Sequence, residues 1–187
     1  MLLYAYRNLI SIQRSSLRTI NAYEAREKKK NKSYYLTHII EYKNIVFDEL
    51  KANCKRIINF IDDYLIKRAK QDEAIVFYYK MKGDFNRYIA EFAVGNLKKH
   101  FEDSGLKAYN EAIKRSSKLQ ILNPVRLRLF LNYSFFQYDI LNNKKKAIEI
   151  VKNAINEANK ELPDIDEDDG NEEINSIYND LKETVDL

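Results

Sequence analysis

Cysteine occurs once, at Cys54, which excludes an internal disulfide and a multi-cysteine zinc site and leaves a small apolar residue suited to burial. The two histidines, His38 and His100, stand apart from each other and from any acid and cysteine cluster of ligand spacing, so neither is read as a metal ligand and no cofactor is expected. Four glycines and two prolines in 187 residues leave few breakers for short strands and tight turns, so long helices are expected. No run of 18 or more apolar residues occurs, and Met1 to Arg7 lacks the charged lead and small-residue cleavage site of a signal peptide. The expectation is a soluble, cytoplasmic protein. No nucleophile, base and orienting group assemble in the chain and no glycine loop could cradle a nucleotide phosphate, so an enzyme is not expected.

What is present begins with the 45% hydrophobic content, which suits one helical domain over residues 1–187 with a sizeable core. The net charge of +4 conceals an asymmetry, because residues 164–187 hold ten acids against one lysine. A basic body therefore carries an acidic end. Such a body could attract nucleic acid or anionic membranes, but its clusters Lys28-Lys29-Lys30 and Lys144-Lys145-Lys146 fall at expected helix ends and read as solvated surface. Neither nucleic acid nor membrane is taken as a partner.

Taken in order, the first helix is expected over about Leu2 to Arg26, with Leu2, Tyr6, Leu9, Leu17 and Ile20 inward. Arg7, Arg14 and Arg18 recur at i, i+7 and i+11, within an arc of about 40° on one face. No acid lies three or four residues from any of them on that face, so intrahelical pairing cannot explain the stripe. Either an external anion or carboxylates elsewhere in the fold must balance it. A second helix, about Tyr34 to Lys70, carries a core stripe that includes Tyr42, Val46, Leu50, Cys54, Ile57 and Ile61. A third opens near Asp72 and is expected to end near Gly95. On it Lys80, Asp84, Arg87 and Glu91 share one stripe, flanked by aromatics, and Gly83 sits inside it at a cost of about 1 kcal/mol relative to alanine. A close neighbouring helix or space for a ligand is the expected reason.

A fourth helix, about Leu97 to Leu119, reads as scaffold. Asn123-Pro124 is a cap followed by proline at the first helical position, opening a fifth helix to about Asn142. Asn132 and Asp139 share its face, with Arg128 one turn earlier, and an amide such as Asn132 can both donate to and accept from an extended peptide backbone. A sixth helix is expected over about Lys144 to Leu162, then an acidic loop over 163–173. Counted from Asp164, the sequence does not fit a calcium-binding EF-hand, because the sixth and twelfth positions hold Asp169 and Asn175. A last helix follows, with Ile174, Ile177, Leu181 and Val185 on one stripe.

The segment Phe77 to Phe92, FYYKMKGDFNRYIAEF, closely resembles the phosphate-clamp helix of the 14-3-3 family, dimeric all-helical adaptors that bind phosphoserine and phosphothreonine peptides in a concave groove. Ala5-Tyr6-Arg7-Asn8 with Arg14-Ser15-Ser16-Leu17-Arg18, and the stretch NPVRLRLFLNYSFFQYDIL, resemble two further helices of that family. The resemblance implies an all-α antiparallel array of about seven helices. It places the phosphate on Arg7, Arg14, Arg87 and Tyr88, and the peptide groove at Arg18, Lys80, Arg128, Leu131, Asn132, Asp139, Asp180 and Thr184. Asp84 is the one carboxylate expected close to these cations. Leu17 stands where the family has tryptophan, Asp139 where it has glutamate, Arg128 where it has a groove-wall glycine and Asp180 where it has leucine. The last two changes suggest a compensating Arg128–Asp180 ion pair, which would favour polar residues after the phosphorylated one.

The implied function is a phosphopeptide-binding adaptor in signalling, with phosphorylated proteins as partners. The competing expectation, from the rewritten last helix, is a helical interaction scaffold that has lost phosphopeptide binding. The family's first two helices, which form much of its dimer contact, have no counterpart here, so a weakened or absent dimer is expected.

Overall fold

The computed structural model describes residues 2–30, 34–161 and 172–185. The scarcity of breakers is realised as seven helices among the described residues. They are α1 (Leu2–Lys28), α2 (Leu36–Phe60), α3 (Asp72–Ala90), α4 (Gly95–Ser116), α5 (Pro124–Phe135), α6 (Lys144–Glu161) and α7 (Glu172–Val185). α2 continues through a π-helical turn, Ile61–Leu65, and a last turn, Ile66–Arg68. α5 likewise continues through a π-helical turn, Phe136–Ile140. The expected acidic loop falls, from 163 to 171, outside the described residues; Glu172 and Glu173, assigned to it from sequence, instead open α7, where acids favour the helix N-terminus.

Side-chain contacts fix the directions of the helices. Asn53 donates to Gln13 and Lys43 to Glu24, so α1 and α2 are antiparallel. Gly105 faces Asn86 while Tyr109 faces Gly83, so α4 runs against α3. Gly105 also meets Phe136 while Tyr109 meets Tyr133, so α5 runs against α4 and with α3. The main core gathers Ile10 and Leu17 of α1, Leu50 and Ile57 of α2, Phe85 and Ile89 of α3, Tyr109 of α4, and Leu129 and Phe136 of the α5 element. Cys54 lies in it, and burial pushes its thiol up to about 12, leaving it an unreactive apolar filler. A smaller core joins Leu127 and Leu131 of α5 to Val151 and Ala154 of α6 and Ile177 and Leu181 of α7.

Three local expectations are corrected. α3 ends at Ala90 rather than near Gly95, because the amides of Phe92 and Ala93 turn back to Ile89, Val94 is extended and Gly95 takes φ +57°. Glycine adopts that conformation without steric cost, so here it reverses the chain and opens α4. Leu9 and Tyr42, read as inward, are 43% and 58% exposed. Ile10 takes the buried position on α1, about 100° round the helix from Leu9. Leu9 and Tyr42 instead join Ile12, Tyr23 and Ile45 as exposed apolar side chains of the α1–α2 pair. The fifth helix opens as expected, with Asn123 Oδ1 accepting from the amides of Val125 and Arg126 at 2.9 and 3.3 Å.

Gly83 is explained by a close helix. A Cβ placed there would lie 2.8 Å from the ring of Tyr109, which is wedged against Tyr133 and Phe136 and held at its hydroxyl by Asp84. Gly83→Ala gains about 1 kcal/mol of helix propensity but forces an overpacked contact costing about 1–3 kcal/mol. The variant should unfold at lower urea concentration than the wild type. An equal or higher midpoint would show that the Tyr109 ring can move aside.

Candidate functional site

The side chains that distinguish α3 chemically converge on Asp84, which is almost wholly buried. Its Oδ1 accepts from the Tyr109 hydroxyl at 2.6 Å and its Oδ2 from Lys80 Nζ at 2.9 Å. Asn132 Nδ2 donates to both oxygens at 3.0 Å. One carboxylate thus ties α3 to α4 and α5. Burial works to raise its pKa, but the charges of Lys80 and Arg87 and the hydrogen bonds from Tyr109 and Lys80 outweigh that and lower it. Lys80, one helical turn earlier, is equally buried, so the pair is a satisfied internal ion pair rather than a surface one.

One turn further along α3, Arg87 Nε is shielded from solvent and has no hydrogen-bond partner. Burial disfavours its charge, yet the neighbouring Tyr109, Tyr88 and Asp84 more than reverse that and raise its pKa. The guanidinium lies 5.0 Å from the centre of the Tyr88 ring, and that of Arg14 lies 4.0 Å from the same ring. Burial raises the Tyr88 pKa, as does Asp84, against the charges of Arg87, Arg14 and Arg7, so its phenol stays protonated at neutral pH and can donate. Arg14 Nε and Nη2 meet Glu91 Oε2 at 2.8 and 2.7 Å, and Arg18 Nε meets Glu91 Oε1 at 2.6 Å. Glu91 corrects the expectation that Asp84 is the only carboxylate near the cations. It lies on the same stripe as Asp84, two turns on, and its side chain spans the gap between α3 and α1.

A cavity of about 540 Å³ opens between the parallel helices α1, α3 and α5. α1 lines it with Leu3, Tyr4 and Arg7; α3 with Phe77, Lys80, Met81, Asp84, Phe85, Arg87 and Tyr88; α5 with Arg128, Asn132 and Phe135. A second cavity of about 250 Å³ shares Arg87 and adds Arg18, Glu91, Lys98, Asp139 and Ile140. No histidine, cysteine, serine or threonine lines either one. The walls suit binding of an anion carried on an extended chain: cations and amide groups alternate with Phe77, Met81 and Phe135.

The structure brings together Arg7, Lys80, Arg87, Tyr88, Arg128 and Asn132, and next to them Arg18 and Asp139. Arg14 sits behind Tyr88 rather than on the cavity wall. Leu131 is turned about 100° from Asn132 and is buried in the α5–α6–α7 core. Asp180 is exposed and Thr184 is buried with its hydroxyl on the carbonyl of Asp180, and neither lines either of these two cavities. The expected Arg128–Asp180 pair is replaced by Arg128 with Glu173, at 3.2 Å from both Nε and Nη2. Glu173 lies seven residues before Asp180, on the same face of α7 but two turns nearer its start. Tyr109, on the helix that the sequence marks only as scaffold, is the site residue that periodicity misses; the glycine it packs against is the one local signal of its approach.

Asp84→Asn would leave Lys80 buried without a counter-charge and should lower stability by about 3–5 kcal/mol at pH 7. The Asp84 pKa is lowered on folding, so its contribution is complete above the unfolded aspartate value of about 3.9 and is lost as pH falls through the lower folded value. Urea unfolding of the two proteins should therefore converge below about pH 4. A gap that stays constant down to pH 3 would contradict this role for Asp84.

Comparison with known proteins agrees with this geometry. The family model described as 14-3-3 protein matches residues 1–187. Similar relatives include 14-3-3-like protein B of Vicia faba, 40% identical over 169 residues, which cover 90% of this chain and 65% of the relative. The 14-3-3 protein homolog of Trichoderma harzianum is 39% identical, with 90% and 64% covered. Checkpoint signal transducer rad24 of Schizosaccharomyces pombe is 38% identical, with 90% and 63% covered. The chain spans just under two thirds of the length of these curated relatives. With the family model matching residues 1–187 of the chain and an all-helical array built around the residues that carry the resemblance, this chain belongs to the 14-3-3 family.

Proposed function

We propose that this chain is a phosphoserine- and phosphothreonine-peptide-binding adaptor, acting on phosphorylated partner proteins in the cytoplasm as a single seven-helix domain. The observation that carries the reading is Arg87: a half-buried, charged guanidinium whose shielded Nε has no partner, at the wall of a cavity whose one carboxylate is already taken up by Lys80, Tyr109 and Asn132. A dianionic phosphate is the group that completes such a site, because the guanidinium fork gives it parallel charge-assisted hydrogen bonds. In this reading Arg87 and the Tyr88 hydroxyl meet the phosphate at the cavity wall, and Arg14, which lies behind the Tyr88 ring in the free protein, turns from Glu91 to complete the clamp. The exposed Arg7 supports it, and Lys80 balances Asp84 so that the carboxylate does not oppose the phosphate. Asn132 spends its amino group on Asp84 and keeps Oδ1 to accept an N–H from the peptide backbone. In the free protein Glu91 balances Arg14 and Arg18, which keeps the arginine stripe ordered until the phosphate draws Arg14 away. α5 belongs to both cores, which supports treating the helices as one unit.

A phosphoserine peptide and its unphosphorylated twin, titrated by fluorescence anisotropy, should separate clearly in favour of the phosphopeptide. Charge-assisted hydrogen bonds contribute about 1.5–3 kcal/mol each, so Arg87→Ala or Arg14→Ala should each weaken phosphopeptide binding by about tenfold or more. Equal affinity for the two peptides would reject the reading and favour a scaffold that has lost phosphate recognition.

A further inference from the structure

We propose that the groove reads a second negative charge on the peptide, an acidic side chain about two to four residues from the phosphorylated one, through Arg128. This rests on the phosphopeptide reading above and adds a specificity-determining residue to it. The wall of the larger cavity carries four cations, Arg7, Lys80, Arg87 and Arg128, against the one carboxylate of Asp84. Lys80 and Asp84 neutralise each other at 2.9 Å, which leaves three cations. A phosphate brings only about −1.5 to −2 charges at pH 7. A bound monophosphate peptide therefore leaves about one positive charge on the same wall that only the exposed Glu173 balances.

The surplus is at Arg128. α3 and α5 run in the same direction, with Asn132 level with Asp84 through their hydrogen bonds. Arg128 lies four residues before Asn132, and Arg87 three residues after Asp84. At 1.5 Å rise per residue the two arginines are offset by about 10 Å along the groove. An extended peptide covers that distance in about three residues. The acid is thus read on the side of the phosphate that runs towards the start of α5.

In the free protein a carboxylate already occupies this position. Glu173, in the first turn of α7, meets Arg128 at 3.2 Å. The side chains are 61% and 43% exposed, so the pair is weak and a ligand carboxylate can replace Glu173. Glu173 acts as an internal stand-in for the acid of the peptide.

The test is a set of phosphoserine peptides in which one glutamate is moved from one to six residues away on either side of the phosphoserine in an otherwise alanine background. Each is titrated against the wild type, Arg128→Ala and Glu173→Gln. In the wild type the glutamate should tighten binding by about threefold to tenfold over its alanine twin, at two to four residues and on one side only. That ratio should collapse to about one in Arg128→Ala, whatever happens to the affinity for the alanine peptide, and should grow in Glu173→Gln, where Arg128 is released. Phosphopeptide binding with no glutamate preference, or a preference that persists in Arg128→Ala, would overturn this inference alone. Failure of every phosphopeptide to bind would remove the function proposed above and this inference with it.

Discussion

The buried carboxylate of Asp84 is the point on which the rest of the structure depends. A carboxylate removed from water costs several kcal/mol unless its lone pairs are filled and its charge is balanced. Here the filling groups come from three helices: Lys80 from α3 itself, Tyr109 from α4 and Asn132 from α5. Satisfying that one group fixes the separation and axial register of those helices. The register in turn dictates other choices: Gly83 has no side chain because the Tyr109 ring that reaches Asp84 lies across it. The same carboxylate orients Lys80 and Asn132 towards the cavity and is among the groups that hold Arg87 charged.

The cations outside that network are handled differently. Arg14 and Arg18 share the two oxygens of Glu91, which bridges α1 and α3 and offsets the repulsion of a three-arginine stripe. Arg14 and Arg87 lie against the same Tyr88 ring, so its electron-rich faces moderate the repulsion between these two like charges. Arg7 is left exposed at the cavity wall. The result is a graded surface, in which some cations are consumed structurally and others remain for a ligand.

α7 is attached through a separate small core, with Ile177 and Leu181 packed on α5 and α6, and the Arg128–Glu173 pair crosses from α5 to its first turn. Its contribution to the groove therefore depends on how α5 presents its outer face. Arg128 meets the acid its side chain can reach along that face. The polar side chains Asp180 and Thr184, further along α7, stay clear of both cavities.

The sequence alone determined the helices, because apolar periodicity, few breakers and the Asn123-Pro124 cap are local properties. It also determined which faces carry charge: the Arg7, Arg14, Arg18 stripe and the Lys80, Asp84, Arg87, Glu91 stripe follow from a rise and turn that every α-helix shares. The glycine inside α3 signalled either a close neighbour or space for a ligand, and only the packing chose the Tyr109 ring. The partners of those charges were decided only in three dimensions. Whether the arginine stripe faced an external anion or an internal carboxylate could not be read from spacing, and the fold divides it: Glu91, 77 residues from Arg14, pairs Arg14 and Arg18, while Arg7 is left at the cavity wall. The exposure of Leu9 and Tyr42, the turn at Gly95 and the choice of Glu173 over Asp180 depend likewise on which neighbour lies within a side chain's length. Periodicity states the direction in which a residue points from its own helix axis. Only the packing of helices distant in sequence states what it meets there, and an ion pair is won by whichever charge lies within about 4 Å.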